Sequence, residues 1–176
     1  KRMLGTLAAH LEELETRIAV IEGEIHVAHR SSEASQRLAT IPGVGVITAS
    51  ALVASIGDAS QFKSARHLAA WLGLVPRQNS TGGKTKLGPI SKRGDPYLRK
   101  LLIHGARTVL RWRRVGVNAT PGWLVELIKR KPPNVAATAL ANKNARIVWA
   151  LLTYKQVYKA PSAPAPNRPG SCQGRS

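Results

Sequence analysis

A chain of 176 residues that is 43% hydrophobic has room for one ordinary domain with an appendage. No apolar run approaches the roughly 18 residues of a membrane span, and a single cysteine, Cys172, excludes an intrachain disulfide framework or a cysteine-based zinc site. The net charge is +18 and unevenly spread: residues 1–40 carry six acids and five bases, whereas the rest carries 22 bases against Asp58, Asp95 and Glu126, a net of +19. Such a field attracts polyanions and points to a nucleic-acid partner.

The first predicted element is a helix. Leu4, Leu7, Leu11, Leu14, Ile18, Ile21 and Ile25 recur at alternating spacings of 3 and 4 with Glu and Arg between them, the a/d seam of a coiled coil. A stripe this narrow needs a partner helix, so residues 1–37 read as a coiled-coil helix through which copies of the chain associate; packing onto its own domain is the alternative. Residues 38–57 follow, with the turn Pro42-Gly43-Val44-Gly45 before a run of small and apolar residues at helical spacing. This pattern resembles a helix-hairpin-helix motif. There, Gly43 and Gly45 would let backbone N–H groups approach a phosphate at the start of the second helix. A plain interhelical turn is the other reading.

Ser64 to Leu74 predicts a further helix stopped by Gly73. Residues 75–94 read as a polar, glycine-rich loop or hairpin, because Gly82, Gly83, Gly88 and Gly94 break any helix. Asp95-Pro96 is a helix start, a side-chain cap followed by proline at the first helical position. The helix it opens is expected to reach Arg114. Its apolar face is Leu98, Leu101, Leu102 and Val109, and its basic face Arg99, Lys100, Arg107, Arg111 and Arg114. A short helix, Trp123 to Lys129, is expected between Pro/Gly breaks, and a last one from Val135 to Tyr158. From Ala160 the composition is that of a disordered tail. The fold class is therefore mainly α: a coiled-coil helix over 1–37, a helical domain over 38–159 with a hairpin-like turn and a Gly-rich loop, and a tail over 160–176.

Metal-dependent hydrolysis needs convergent carboxylates. Two of the three acids after residue 40 have structural work, since Asp95 fits a helix cap and Asp58 follows a glycine at a helix end. The histidines show no zinc spacing, so no metal site and no cofactor are expected in this chain. A hydroxyl nucleophile is a different matter. Ser80 and Thr81 sit beside Gly82 and Gly83, with Arg77, Lys84, Lys86, Lys92 and Arg93 near in sequence to neutralise a phosphate under attack. With Arg99, Arg107 and Arg111 these cations form the expected DNA- or RNA-phosphate contacts. On residue chemistry alone, the loop reads as a phosphate cradle.

Three blocks in order, IPGVGVITASALVASIG, LGLVPRQNSTGGKTKLGPISKRGDPYLRKLLIHGAR and NVAATALANKNARIVWALL, cover residues 38–152. They resemble the C-terminal transposase domain of the insertion-sequence one-ten family, and within it the eleven-eleven branch. The resemblance implies a bacterial, cytoplasmic, nucleoid-associated protein. It also implies an N-terminal RuvC-like domain that binds Mg²⁺ and a noncoding guide RNA. A serine that joins DNA covalently during strand exchange would map to Ser80. Many relatives place serine directly before glycine, which is Thr81 here, so the register between the two stays open. Lys1 is not a natural start, and the chain reads as a fragment without the RuvC-like half, inactive alone. The competing class is a noncatalytic helix-hairpin-helix module that only binds nucleic acid.

Overall fold

The computed structural model describes residues 2–81, 84–113 and 122–159. Helix α1 runs Arg2–Ser31 and α2 Glu33–Ala39. The heptad pattern alone predicts one helix through residue 37. Ser32 divides it, because its backbone is extended and its hydroxyl accepts from the Ser35 N–H at 3.2 Å, capping α2. The boundary at residue 37 thus falls inside α2, whose Ser35 and Leu38 are buried in the body of the domain. His29 at the end of α1 hydrogen-bonds Ser35 at 2.7 Å, and Ser35 in turn lies 3.3 Å from the Ser50 hydroxyl.

The turn at 40–45 leads into α3, Val46–Ile56. A single 3₁₀ turn, Ala59–Gln61, precedes α4, Ala65–Trp71, which is capped by the Ser64 hydroxyl. Strands β1, Pro76–Thr81, and β2, Lys84–Ile90, form an antiparallel two-stranded ribbon. Between a loop and a hairpin, then, the chain adopts the hairpin. Gly88, expected to break a helix, lies within β2. Helix α5 is Pro96–Arg113 and opens as expected: the Asp95 carboxylate accepts from the N–H groups of Tyr97 at 2.7 Å and Leu98 at 3.3 Å. Arg114 lies outside the described residues. Helix α6, Gly122–Arg130, is one residue longer at each end than its apolar stripe predicts.

Helix α7 is Pro133–Tyr154, shorter than the predicted reach to Tyr158. Lys155 takes a left-handed backbone (φ 51°), which ends the helix, and the Tyr158 N–H then bonds back to the Thr40 hydroxyl at 3.3 Å. The expected tail at 160–176 lies outside the described residues. No helix among those described is long and apolar enough to cross a membrane.

The core forms around α7. Its inner face is lined by Ala137, Ala141, Ala145 and Val148, small enough to admit α5 and α4 closely, and these contribute Leu98, Leu102 and Leu68. Leu38 of α2 and Leu52 and Ile56 of α3 complete it. Three polar side chains of α7 bind carbonyls of the connecting segments: Asn142 that of Leu74 at 3.1 Å, Asn144 that of Pro42 at 3.0 Å, and Trp149 that of Phe62 at 3.0 Å. By contrast, Leu4, Leu7, Leu11, Leu14, Ile18 and Ile21 on α1 are 42–71% exposed, so the heptad seam is uncovered within the chain.

Candidate nucleic-acid interface

Two glycines bring the Pro42–Gly45 turn against α5. Gly43 has φ 86°, and a Cβ there would lie 2.7 Å from the Gly105 carbonyl oxygen; a Cβ on Gly105 would lie only 1.8 Å from the Gly43 oxygen. Gly43 therefore serves backbone-to-backbone packing. Gly45 differs: it stands at the N-cap of α3 in open space, with no side chain to bond the first N–H groups of the helix. The side chains of Ser32, Ser64 and Asp95 cap α2, α4 and α5, but the N–H groups at the head of α3 keep no such partner. They border a groove of about 710 Å³ between the turn, the middle of α5 and His26 of α1.

The base of the ribbon is riveted as tightly. A Cβ on Gly94 would meet the Trp71 carbonyl at 1.8 Å, and the Lys92 N–H bonds the Gly73 carbonyl at 3.1 Å, Lys92 itself being left-handed (φ 55°). From this base the ladder pairs Gln78 with Leu87, Asn79 with Lys86, Ser80 with Thr85 and Thr81 with Lys84, with an irregularity between Pro76 and Gln78. Ser80 and Thr81 are thus the last two residues of β1 before the hairpin tip. Gly82 and Gly83 of that tip lie outside the described residues. Arg77, Lys86, Lys92 and Arg93 are exposed along the ribbon and its base, and Arg77 donates to the Ser91 carbonyl at 3.4 Å.

On α5, Lys100, Arg107 and Arg111 are exposed. Arg107 donates to the Asn134 side-chain oxygen at 3.2 Å, and with Arg111 it lines a pocket of about 230 Å³ closed by Pro133 and Asn134 at the start of α7. Arg99 is half-buried and donates to the Leu72 carbonyl at 3.2 Å, so one side of this predicted phosphate ligand helps to end α4 instead.

The acids after residue 40 are all engaged. Asp95 caps α5. Asp58 accepts from the Ser60 hydroxyl at 2.5 Å and the Ser60 N–H at 2.8 Å, which hold its carboxyl below its ordinary range. Glu126 pairs with Lys129 at 2.9 Å, and that hydrogen bond lowers its carboxyl too.

Residues 35–119 match the family described as the transposase IS116/IS110/IS902 family. The chain belongs to that family. It is 54% identical over 157 residues to a Pseudomonas aeruginosa protein named "Probable family 20 transposase", covering 89% of this chain and 46% of the relative. It is 46% identical over 159 residues to the transposase for insertion sequence element IS1111A of Coxiella burnetii (90% and 44%) and 43% identical over 157 residues to that for IS1328 of Yersinia enterocolitica (89% and 47%). The chain thus spans less than half the length of each of these relatives. The segment matching the transposase family includes the turn, the groove wall on α3 and α5, the ribbon and the basic face of α5.

Sequence reasoning missed the residues that position these parts. Gly105 was unremarkable within an amphipathic helix. Asn142 and Asn144 gave a signal that was readable only in part: polar residues beside the Ala141, Ala145 and Val148 face need buried partners, but a sequence does not say which.

Proposed function

We propose that this chain is the serine-bearing, nucleic-acid-binding part of an insertion-sequence transposase. In this reading it grips DNA and a noncoding guide RNA by their backbones and presents Ser80 to a phosphodiester during strand exchange. The observation that carries it is the placement of Ser80 and Thr81 at the end of β1, on a ribbon flanked by exposed Arg77, Lys86, Lys92 and Arg93. An attacking hydroxyl needs a backbone that admits a phosphate and fixed cations where charge develops. The glycines that follow in sequence, Gly82 and Gly83, suit the first need, and the exposed cations suit the second. The Pro42–Gly45 turn with α2 and α3 acts as a helix-hairpin-helix contact, and the seam of α1 pairs copies of the chain, its apolar residues at 3–4 spacing being exposed among the described residues. The setting is the bacterial nucleoid.

Mg²⁺ chemistry belongs to a companion RuvC-like domain. The three carboxylates after residue 40 cap helical turns or pair with lysine, so they do not fit a two-metal centre. The reaction is tested with the chain joined to a RuvC-like domain of the same family and the element's RNA. Ser80→Ala should abolish strand exchange and the covalent protein–DNA adduct while leaving nucleic-acid binding nearly unchanged. If Thr81→Val abolishes exchange and Ser80→Ala does not, the nucleophile is Thr81. If neither matters, the ribbon is a phosphate cradle, and the chain is a noncatalytic binding module.

A further inference from the structure

The exposed seam of α1 is flanked by charges whose order distinguishes one way of pairing from another. With Leu4, Leu11 and Ile18 at a and Leu7, Leu14 and Ile21 at d, the e positions are Ala8, Glu15 and Glu22 and the g positions His10, Arg17 and Glu24. All six flanking residues are exposed. Residues at e and g border a paired seam and set partner and orientation. In a parallel pair in register, each g residue faces the e residue of the next heptad in the second copy. Arg17 then meets Glu22 and His10 meets Glu15, each contact made twice by symmetry. Arg17 already bonds Glu13 of its own helix at 2.6 Å, but both side chains are exposed and the guanidinium has further N–H donors. In an antiparallel pair e faces e and g faces g. Full overlap of the seam sets Glu15 against Glu15 and Arg17 against Arg17, and only His10 with Glu24 is complementary. Slid one heptad one way, Arg17 faces His10 and Glu15 faces Ala8. Slid the other way, Arg17 gains Glu24, but Glu15 faces Glu22, and Leu4 and Leu7 are left uncovered.

We propose that α1 joins two copies of the chain as a parallel, in-register pair, with Arg17 and Glu22 as the charges that fix its direction. This rests on the reading that the seam pairs copies of the chain, and adds the orientation and the residues that choose it. The orientation reaches the rest of the molecule. The end of α1 packs on α2 and α3, and His29 bonds Ser35 at 2.7 Å, which lies 3.3 Å from the Ser50 hydroxyl of α3. The direction of the helix is thereby passed to the body. A parallel pair sets both bodies at one end of the coil, where two ribbons and two basic α5 faces can meet a single nucleic acid. An antiparallel pair would part them by the length of a 30-residue helix, roughly 45 Å.

The experiment is disulfide trapping in the full chain with Cys172→Ser, so that each variant carries a single thiol. Leu7→Cys should give a covalent dimer on mild oxidation, because a parallel register sets residue 7 against its own copy. Ala9→Cys, on the side of α1 away from the seam, should not. Leu7→Cys mixed with Ile25→Cys or Ile18→Cys should give no mixed dimer, whereas either antiparallel overlap that covers Leu7 would. Sedimentation equilibrium at low salt then tests the charges. Arg17→Glu and Glu22→Arg should each weaken the dimer about tenfold, since two attractions become two repulsions, and the double swap should restore it. In the antiparallel pairings neither swap creates a partner for the other, so no rescue would follow. Mixed disulfides, no Leu7→Cys dimer, or a double swap that fails to rescue overturns the orientation. A mass above that of two chains overturns the pair. An unmodified chain that stays monomeric at high concentration overturns the self-pairing reading beneath it.

Discussion

Replacing Gly105 by alanine tests whether the turn and α5 are in backbone contact. In an open helix the change would stabilise by up to about 1 kcal/mol, the difference in helix propensity. Here the new Cβ would stand 1.8 Å from the Gly43 carbonyl oxygen and 2.8 Å from its carbon. Ordinary contact is about 3.5 Å, and both partners are backbone, so no side chain can swing aside. Either the turn or α5 must move by more than an ångström. Moving the turn strains the Asn144 bond to Pro42; moving α5 opens its packing on α7. Overpacking of this kind costs about 1–3 kcal/mol in ordinary cores, and rigid backbone on both sides puts this case at the upper end. After the propensity gain, the net loss should be about 2 kcal/mol, which lowers the melting temperature by roughly 4–8 °C for a domain of this size. Thermal unfolding followed by far-ultraviolet circular dichroism measures it. Gly23→Ala is the control: its Cβ meets open space in the middle of α1, and the core midpoint should not fall. A Gly105→Ala protein as stable as the wild type would refute the close approach, and with it the geometry of the groove.

Arg107→Ala and Arg111→Ala should each weaken DNA binding and reduce the logarithmic salt slope by about one, measured by anisotropy; unchanged slopes would take the α5 face out of the interface. Leu11→Lys with Ile18→Lys places two charges in the exposed seam of α1 and should convert an oligomer into a monomer in sedimentation, with the body still folded. A wild type that sediments as a monomer at high concentration would rule out self-pairing. Asp95→Ala removes two charge-assisted bonds to the start of α5 and should cost about 1–2 kcal/mol in denaturant titration.

The parts of the fold that were legible were those with local causes. Asp95-Pro96 announces α5 because cap and proline act within one turn. The Pro42–Gly45 turn and α3 follow from glycines beside a small-residue run. The ribbon was visible only as a hairpin option, since Arg77, Gln78, Asn79, Ser80 and Thr81 are all polar and carry no apolar alternation to mark a strand. The break at Ser32 was hidden because a serine cap can interrupt a helix without disturbing the 3–4 spacing before it. At the site, the cations were evident as composition, but Arg99 turning toward Leu72 and the Gly43–Gly105 contact depend on which elements meet. Those are long-range facts.

The three α7 bonds also bear on timing. Asn144 lies 102 residues from the Pro42 carbonyl it holds, Trp149 lies 87 from Phe62, and Asn142 lies 68 from Leu74. A chain synthesised from its N-terminus at about 5–20 residues per second releases the turn and the ribbon seconds before the helix that fixes them. Contacts this distant also close late in folding, after the entropy of long loops has been overcome. Until α7 docks, the emerging chain carries its positive charge but lacks the clasps that set the turn and the ribbon base. During that interval the chain presents diffuse charge without a defined surface, and the arranged turn, ribbon base and basic helix exist only in the finished domain.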